Sequence, residues 1–322
     1  VAIAPVIKIG LLVVPAVALL GLAGMRMGER LGTGSDASGY PPQAAMPELR
    51  RTEISVAGDA QALLGRRWEP VRSRVASGLP QDLRADIEGD GDLFALAQRL
   101  RAQADGGNAE ARWILSRVYD YCSPYAVDPG GFSRDSASIS AMGTSTATSM
   151  TGARNRLAQR CGGFVSSDNL GHALVLQQRQ QAAREGNLAA EASLLAEGTP
   201  LEPGPEYRRS LVQRVRESRD PEAFMAVAPA MGLRAAGDQA LVGMVAGEAL
   251  SELAWRVAAC ELGMACGPGS VLMDSYCANG GICSQNETQD FNEFVYDAAV
   301  SRQGADKMTD WVEQLTGERK GR

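Results

Sequence analysis

Four cysteines form the most specific chemical constellation in this chain. Cys260 and Cys266 are separated by five residues, and so are Cys277 and Cys283. Thiols placed this way can close two disulfides or hold a zinc ion. Structural zinc sites space their ligands two to four residues apart within each knuckle, which fits these gaps poorly. A helical hairpin folded near Pro268 and stapled twice accounts for the spacing. It pairs Cys260 with Cys277 and Cys266 with Cys283, one choice among the fifteen that six cysteines allow. The remaining two, Cys122 and Cys161, can staple the base of the segment between them.

The other chemically suggestive residues carry less. Asp86, Glu88, Asp90, Gly91 and Asp92 resemble the first half of an EF-hand loop. Its twelfth position is Ala97 rather than a bidentate glutamate, so the segment reads as an acidic turn that caps a helix. His172 is the only histidine, which excludes two-histidine zinc motifs. A Ser-His-Asp triad would have to use it, and no G-x-S-x-G elbow is present. No phosphate loop ending in G-K-S/T occurs. Glu248 and Glu252 are four apart, as the two carboxylates of a glycosidase could be, but Arg256 is placed to neutralise Glu252. Asn286-Glu287-Thr288 fits a glycosylation sequon; a bacterial-looking composition makes chance its better explanation. On this reading the chain has no catalytic, cofactor-binding or metal-binding residues, and its six cysteines form disulfides.

The elements that position these residues begin with an export or anchor segment. Residues 9–25 are apolar and uncharged, between Lys8 and Arg26. As a helix they would cover about 26 Å, the short end of a membrane span. They also fit the core of a secretory signal, with Gly21-Leu22-Ala23 offering small residues for cleavage. Residues 1–26 are therefore a signal anchor or a signal peptide, and 27–50, rich in Gly, Ser and Pro, a tether. An even cysteine count beyond such a segment points to an oxidising compartment.

From residue 51 to 322 the pattern is helical. Asp92 caps a helix over 93–104, Gly106-Gly107-Asn108 breaks it, and a second follows over 109–121. Helices are also expected over 170–184 and 188–196, after Asp220-Pro221, and in a long stretch over 238–262 that ends at Gly263. Inside that stretch Gly243 and Gly247 are four apart, a close-packing signal. A short helix from about 271 ends at Cys277. A final amphipathic helix opens at Asp290 and carries Phe291, Phe294 and Val295. Residues 123–160, dense in Ser and Thr, read as a surface insertion with one helix near 153–160. A Cys-rich hairpin spans 260–283.

Gly107, Ala111, Leu115 and Tyr119 follow the spacing of a Sel1-like repeat, a relative of the tetratricopeptide repeat, and the segment resembles that family. Gly186, Ala190 and Leu194 repeat the first three positions, with Gly198 where the aromatic belongs; Gly237 keeps only the turn glycine. The starts are 79 and 51 residues apart, so no fixed period holds. The resemblance implies helical hairpins stacked into an irregular solenoid that binds proteins.

Composition agrees with an all-α class. Aromatics are 5% of the chain, Ala and Gly abound, and the net charge of −6 counts against nucleic-acid binding. Only Lys8, Lys307 and Lys320 are lysines against 29 arginines, which are expected on solvated helix faces. The function expected is protein binding, without catalysis or cofactor, on the periplasmic side of a bacterial inner membrane. The chain would be anchored through residues 9–25 or secreted, and its partner is an unknown protein. Two alternatives stand: an inhibitor or immunity protein against a secreted toxin or wall hydrolase, and a cell-wall glycosidase.

Overall fold

A computed structural model describes residues 82–317, which are helical without strand. Residues 9–25 and the tether lie outside them. Among the described residues no helix is long and apolar enough to cross a membrane.

The hairpins arise from one local device used twice. α1 (Leu83–Glu88) leads into α2 (Leu93–Asp105), capped by Asp92, whose carboxylate accepts from Phe94 N at 2.8 Å. α2 gives way to α3 (Ala109–Ala126) through Gly107 at φ +87°, a left-handed turn that favours glycine. Asn108 then serves both helices. Its N–H closes on Gln103 O at 3.1 Å, and its side chain accepts from Ala111 N at 3.0 Å. The turn between α6 (His172–Arg184) and α7 (Leu188–Glu197) repeats this with Gly186 and Asn187. α8 (Pro205–Ser218) follows. α9 (Pro221–Met231) starts at the Asp220 cap with proline in its first turn.

These helices stack in a row. α2 packs on α3, α3 on α6, α6 on α7, α7 on α9, α9 on α10 (Ala249–Glu261), and α10 on α13 (Ala305–Thr316). α7 is buried on all sides from Ala189 to Ala196. Its alanines and Ser193 let helices approach closely from several directions. Between α9 and α10, Phe224 and Trp255 stack with centroids 5.0 Å apart, and the Trp255 indole donates to Val245 O at 2.8 Å.

A second group of helices flanks α3, and here the expected surface insertion is corrected. Residues 129–161 form two helices, α4 (Pro129–Ser140) and α5 (Ser145–Cys161). α5 packs on α4, α3 and α11 (Val271–Gly280). It buries Ala147, Ala153 and Leu157, and the disulfide Cys122–Cys161 ties its end to α3. The hydroxyls that suggested a loop bond back to their own helices, as in Ser136 Oγ to Phe132 O and Thr151 Oγ1 to Ala147 O, each 2.7 Å.

Four further expectations are corrected. The long helix over 238–262 is a short 3-10 turn at Gln239–Leu241, a loop, and then α10. Gly243 and Gly247 take φ +83° and +91°, which break the helix, so they do not pack helices together. The cysteine pairing is local: Cys260 bonds Cys266 and Cys277 bonds Cys283. α11 packs along α5 rather than folding back on α10, so the crossed pairing has no hairpin to bridge. Finally, α12 (Phe291–Ala298) is followed by α13.

Many arginines are structural rather than solvated. Arg112 donates to Ala104 O, Arg160 to Ile87 O, Arg219 to Thr316 O and Arg234 to Ala196 O. Each acceptor lies in the last turn of another helix: α2, α1, α13 and α7 respectively. Those carbonyls lack intrahelical partners and carry the negative end of the helix dipole. A forked, permanently charged guanidinium suits them better than an ammonium.

Candidate functional site

The stacking of α3, α7 and α9 beside α10 and α11 opens a cleft of about 380 Å³. α3 contributes Trp113, Arg117, Asp120 and Tyr121, which fall on one helical face. α9 contributes Glu222, Met225, Ala226 and Pro229, at i, i+3, i+4 and i+7 on one face of its own. Arg179 of α6, Glu197 of α7, Arg256 of α10 and Leu272 of α11 complete the walls.

The floor is a buried polar network. Glu222 is 3% exposed and lies against Arg117 at 2.5 Å, with the Trp113 indole donating to it at 3.3 Å. Burial pushes its carboxyl above the usual glutamate range, while Arg117 and then Arg84 pull it down. Arg117 also holds Glu88 at 3.2 Å, and Glu88 in turn accepts from Val271 N at 3.0 Å, at the start of α11. Next to this network, Arg84 spans Glu110 and Asp220, each at 2.7 Å. Asn187 donates to Glu110 at 2.7 Å. The caps of α7 and α9 are thereby linked to α3.

The rim is wetter. Asp120 is 60% exposed in its side chain and lies 2.6 Å from Arg179. Arg179 reaches Glu197 at 3.4 Å and stacks near the Trp113 ring at 5.8 Å. Opposite, Arg256 bonds Glu252 at 2.7 Å through one terminal nitrogen and meets the Met225 sulfur at 3.7 Å through the other. Thioether sulfur is a weak acceptor.

A second cleft of about 470 Å³ separates α5 from α11 and the loop after it. Asp274 stands at its edge, bonded by Arg156 at 2.5 Å and facing the Tyr121 hydroxyl at 3.5 Å. Burial raises both acids, pushing Tyr121 up to about 12.

Of the residues singled out from sequence, Glu88 joins the floor network and Arg256 lines the cleft, and the others lie outside it. His172 opens α6 on the surface, 4.0 Å from Glu197. Glu248 precedes α10 and pairs with Lys307 at 2.5 Å, and Glu252 pairs with Arg256. Asp86 falls within α1, Glu88 ends it, and Asp92 caps α2. Among the described residues, no three His, Cys, Asp or Glu side chains gather to hold a metal ion. Asn286 forms an exposed turn, accepting from Thr288 N at 3.0 Å. The other cleft residues were missed. Their signal is the stripe at 113, 117, 120 and 121, where arginine and carboxylate interrupt a helix face otherwise fit for the core.

The chain matches no family model, no curated protein and no solved structure.

Proposed function

We propose that this chain is an extracytoplasmic protein-binding module of a bacterial envelope. It acts by binding rather than by turnover, and the cleft between α3, α9 and α11 receives a segment of its partner. The observation that carries this reading is the cleft itself. Its walls come from six helices, of which the Arg84 and Arg117 networks link α3, α7, α9 and α11, and they combine Trp113, Met225 and Leu272 with charged groups. Preorganised walls lower the ordering cost of association, and methionine adapts to varied side chains. Three disulfides support an oxidising compartment. The Sel1-like spacing at Gly107, Ala111, Leu115 and Tyr119 supports the same role.

A photo-crosslinking amino acid at Leu272, inside the cleft, and another at Leu233, 68% exposed and outside it, test the reading in envelope preparations. One partner joined through position 272 and not through 233 is expected. Equal labelling from both positions, or none from 272, would refute it.

A further inference from the structure

The reading of the cleft as a binding site can be taken to the chemistry of what it holds, and the following rests on that reading. Arg117 is shared between Glu88 and Glu222, and Arg179 between Asp120 and Glu197. Arg256 is matched by Glu252 alone. Among the side chains that line the cleft three guanidiniums meet three carboxylates, but at the rim Arg179 alone faces both Asp120 and Glu197, which leaves one negative charge in excess there. The rim charge is within reach of a ligand, because Asp120 is 60% and Glu197 35% exposed.

Two other features narrow the occupant. Trp113, Met225, Pro229 and Leu272 give the walls apolar area, which can cover the methylene stem of a long cationic side chain. The Arg256 terminal nitrogen on the Met225 sulfur is a donor with only a soft acceptor, free to exchange it for a backbone carbonyl. We infer that the cleft binds an extended, basic segment of a partner protein, with an arginine or lysine side chain against the exposed sides of Asp120 and Glu197, on the solvent side of Arg179, and a main-chain carbonyl facing Arg256.

The test uses the full chain in a neutral detergent and three fluorescein-labelled nonapeptides of glycine and alanine. They carry two arginines, two glutamines or two glutamates, and binding is read by anisotropy. The arginine peptide is expected to bind about tenfold tighter than the glutamine peptide, and the glutamate peptide weakest. Asp120→Asn and Glu197→Gln should each weaken the arginine peptide about three- to fivefold, the range for one partly exposed ion pair. Glu202→Gln, exposed and outside the cleft, should leave binding unchanged. Equal or tighter binding of the glutamate peptide would overturn the inference. So would an arginine preference that survives the Asp120→Asn/Glu197→Gln double variant, or no binding of any peptide. If crosslinking from position 272 captures a partner through an acidic or neutral segment, the cleft stands as a site and its basic preference falls. Without a crosslink from 272 the site itself falls.

Discussion

Replacing Arg117 by methionine tests the polar floor of the cleft most directly. The Arg117 side chain is 12% exposed and is the cation shared by the Glu222 and Glu88 side chains, which are 4% and 16% exposed. Methionine keeps most of the volume and removes the charge, which leaves two like charges buried close together. Breaking a buried pair from one side costs about 3–5 kcal/mol. Each carboxylate keeps one neutral donor, the Trp113 indole for Glu222 and the Val271 amide for Glu88, worth about 1 kcal/mol apiece. The expected loss at pH 7 is therefore about 1–3 kcal/mol, or roughly 2–12 °C in melting temperature for a domain of this size. The sign of its pH dependence follows from Glu222. Burial raises the folded-state carboxyl above its unfolded value, so the folded state binds more protons between those two values. Stability contributed by this group is present at low pH and is lost as pH rises through the window. Without Arg117 pulling it down, the carboxyl rises further. The difference between variant and wild type should then shrink to below about 1 kcal/mol at pH 4. Urea unfolding followed by circular dichroism at pH 4 and pH 7, with disulfides intact, measures both. A loss at pH 7 under about 1 kcal/mol, or one equal at the two pH values, would refute the argument that Arg117 compensates buried charge.

Other predictions concern the frame. Cleavage at methionine under non-reducing conditions should release 274–308 by itself, holding Cys277–Cys283, and leave 245–264 joined to 265–273 through Cys260–Cys266; mass spectrometry would show all three joined if the pairing were crossed. In the chain-entropy model, removing Cys122–Cys161, which closes a 39-residue separation, should cost about 4 kcal/mol, and removing Cys260–Cys266 about 2 kcal/mol. Urea midpoints of the two double-alanine variants should keep that order. Gly163→Ala should lower stability by about 1–3 kcal/mol, because a Cβ there would lie 2.6 Å from the Phe94 Cβ. Trp255→Ala should cost about 3–5 kcal/mol in the same measurement, since it empties the contact with Phe224 and strands Val245 O.

Much of the fold is written locally. Asp92, Asn108, Asp220 and Asp290 each begin a helix where short-range hydrogen-bond chemistry places one. What failed locally failed for tertiary reasons. Ser and Thr over 133–151 look like loop, yet small residues suit a helix pressed between α3, α4 and α11, where packing outweighs propensity. Hydrophobic periodicity ran through 243 and 247 because apolar residues there serve a turn that two left-handed glycines impose. The cysteine pairing depended on where α11 packs, and α5, far away in sequence, decides that. The cleft was illegible for the same reason: its lining converges from helices spread over residues 113–279. Only the charged stripe on α3 could be read in advance.

The arginines that reach the ends of other helices have a mechanical consequence. A row of stacked hairpins ordinarily opens from its ends, one unit at a time. Here the first and last described helices are clasped from other parts of the chain: Arg160 of α5, in the flanking group, holds the last turn of α1, and Arg219, just beyond α8, holds the last turn of α13. Peeling either end means tearing a guanidinium from a carbonyl that belongs to a distant stretch of chain. Stretched between its termini, the disulfide-intact domain should resist as a single body and give way in one rupture, rather than pay out slack in a staircase of small steps.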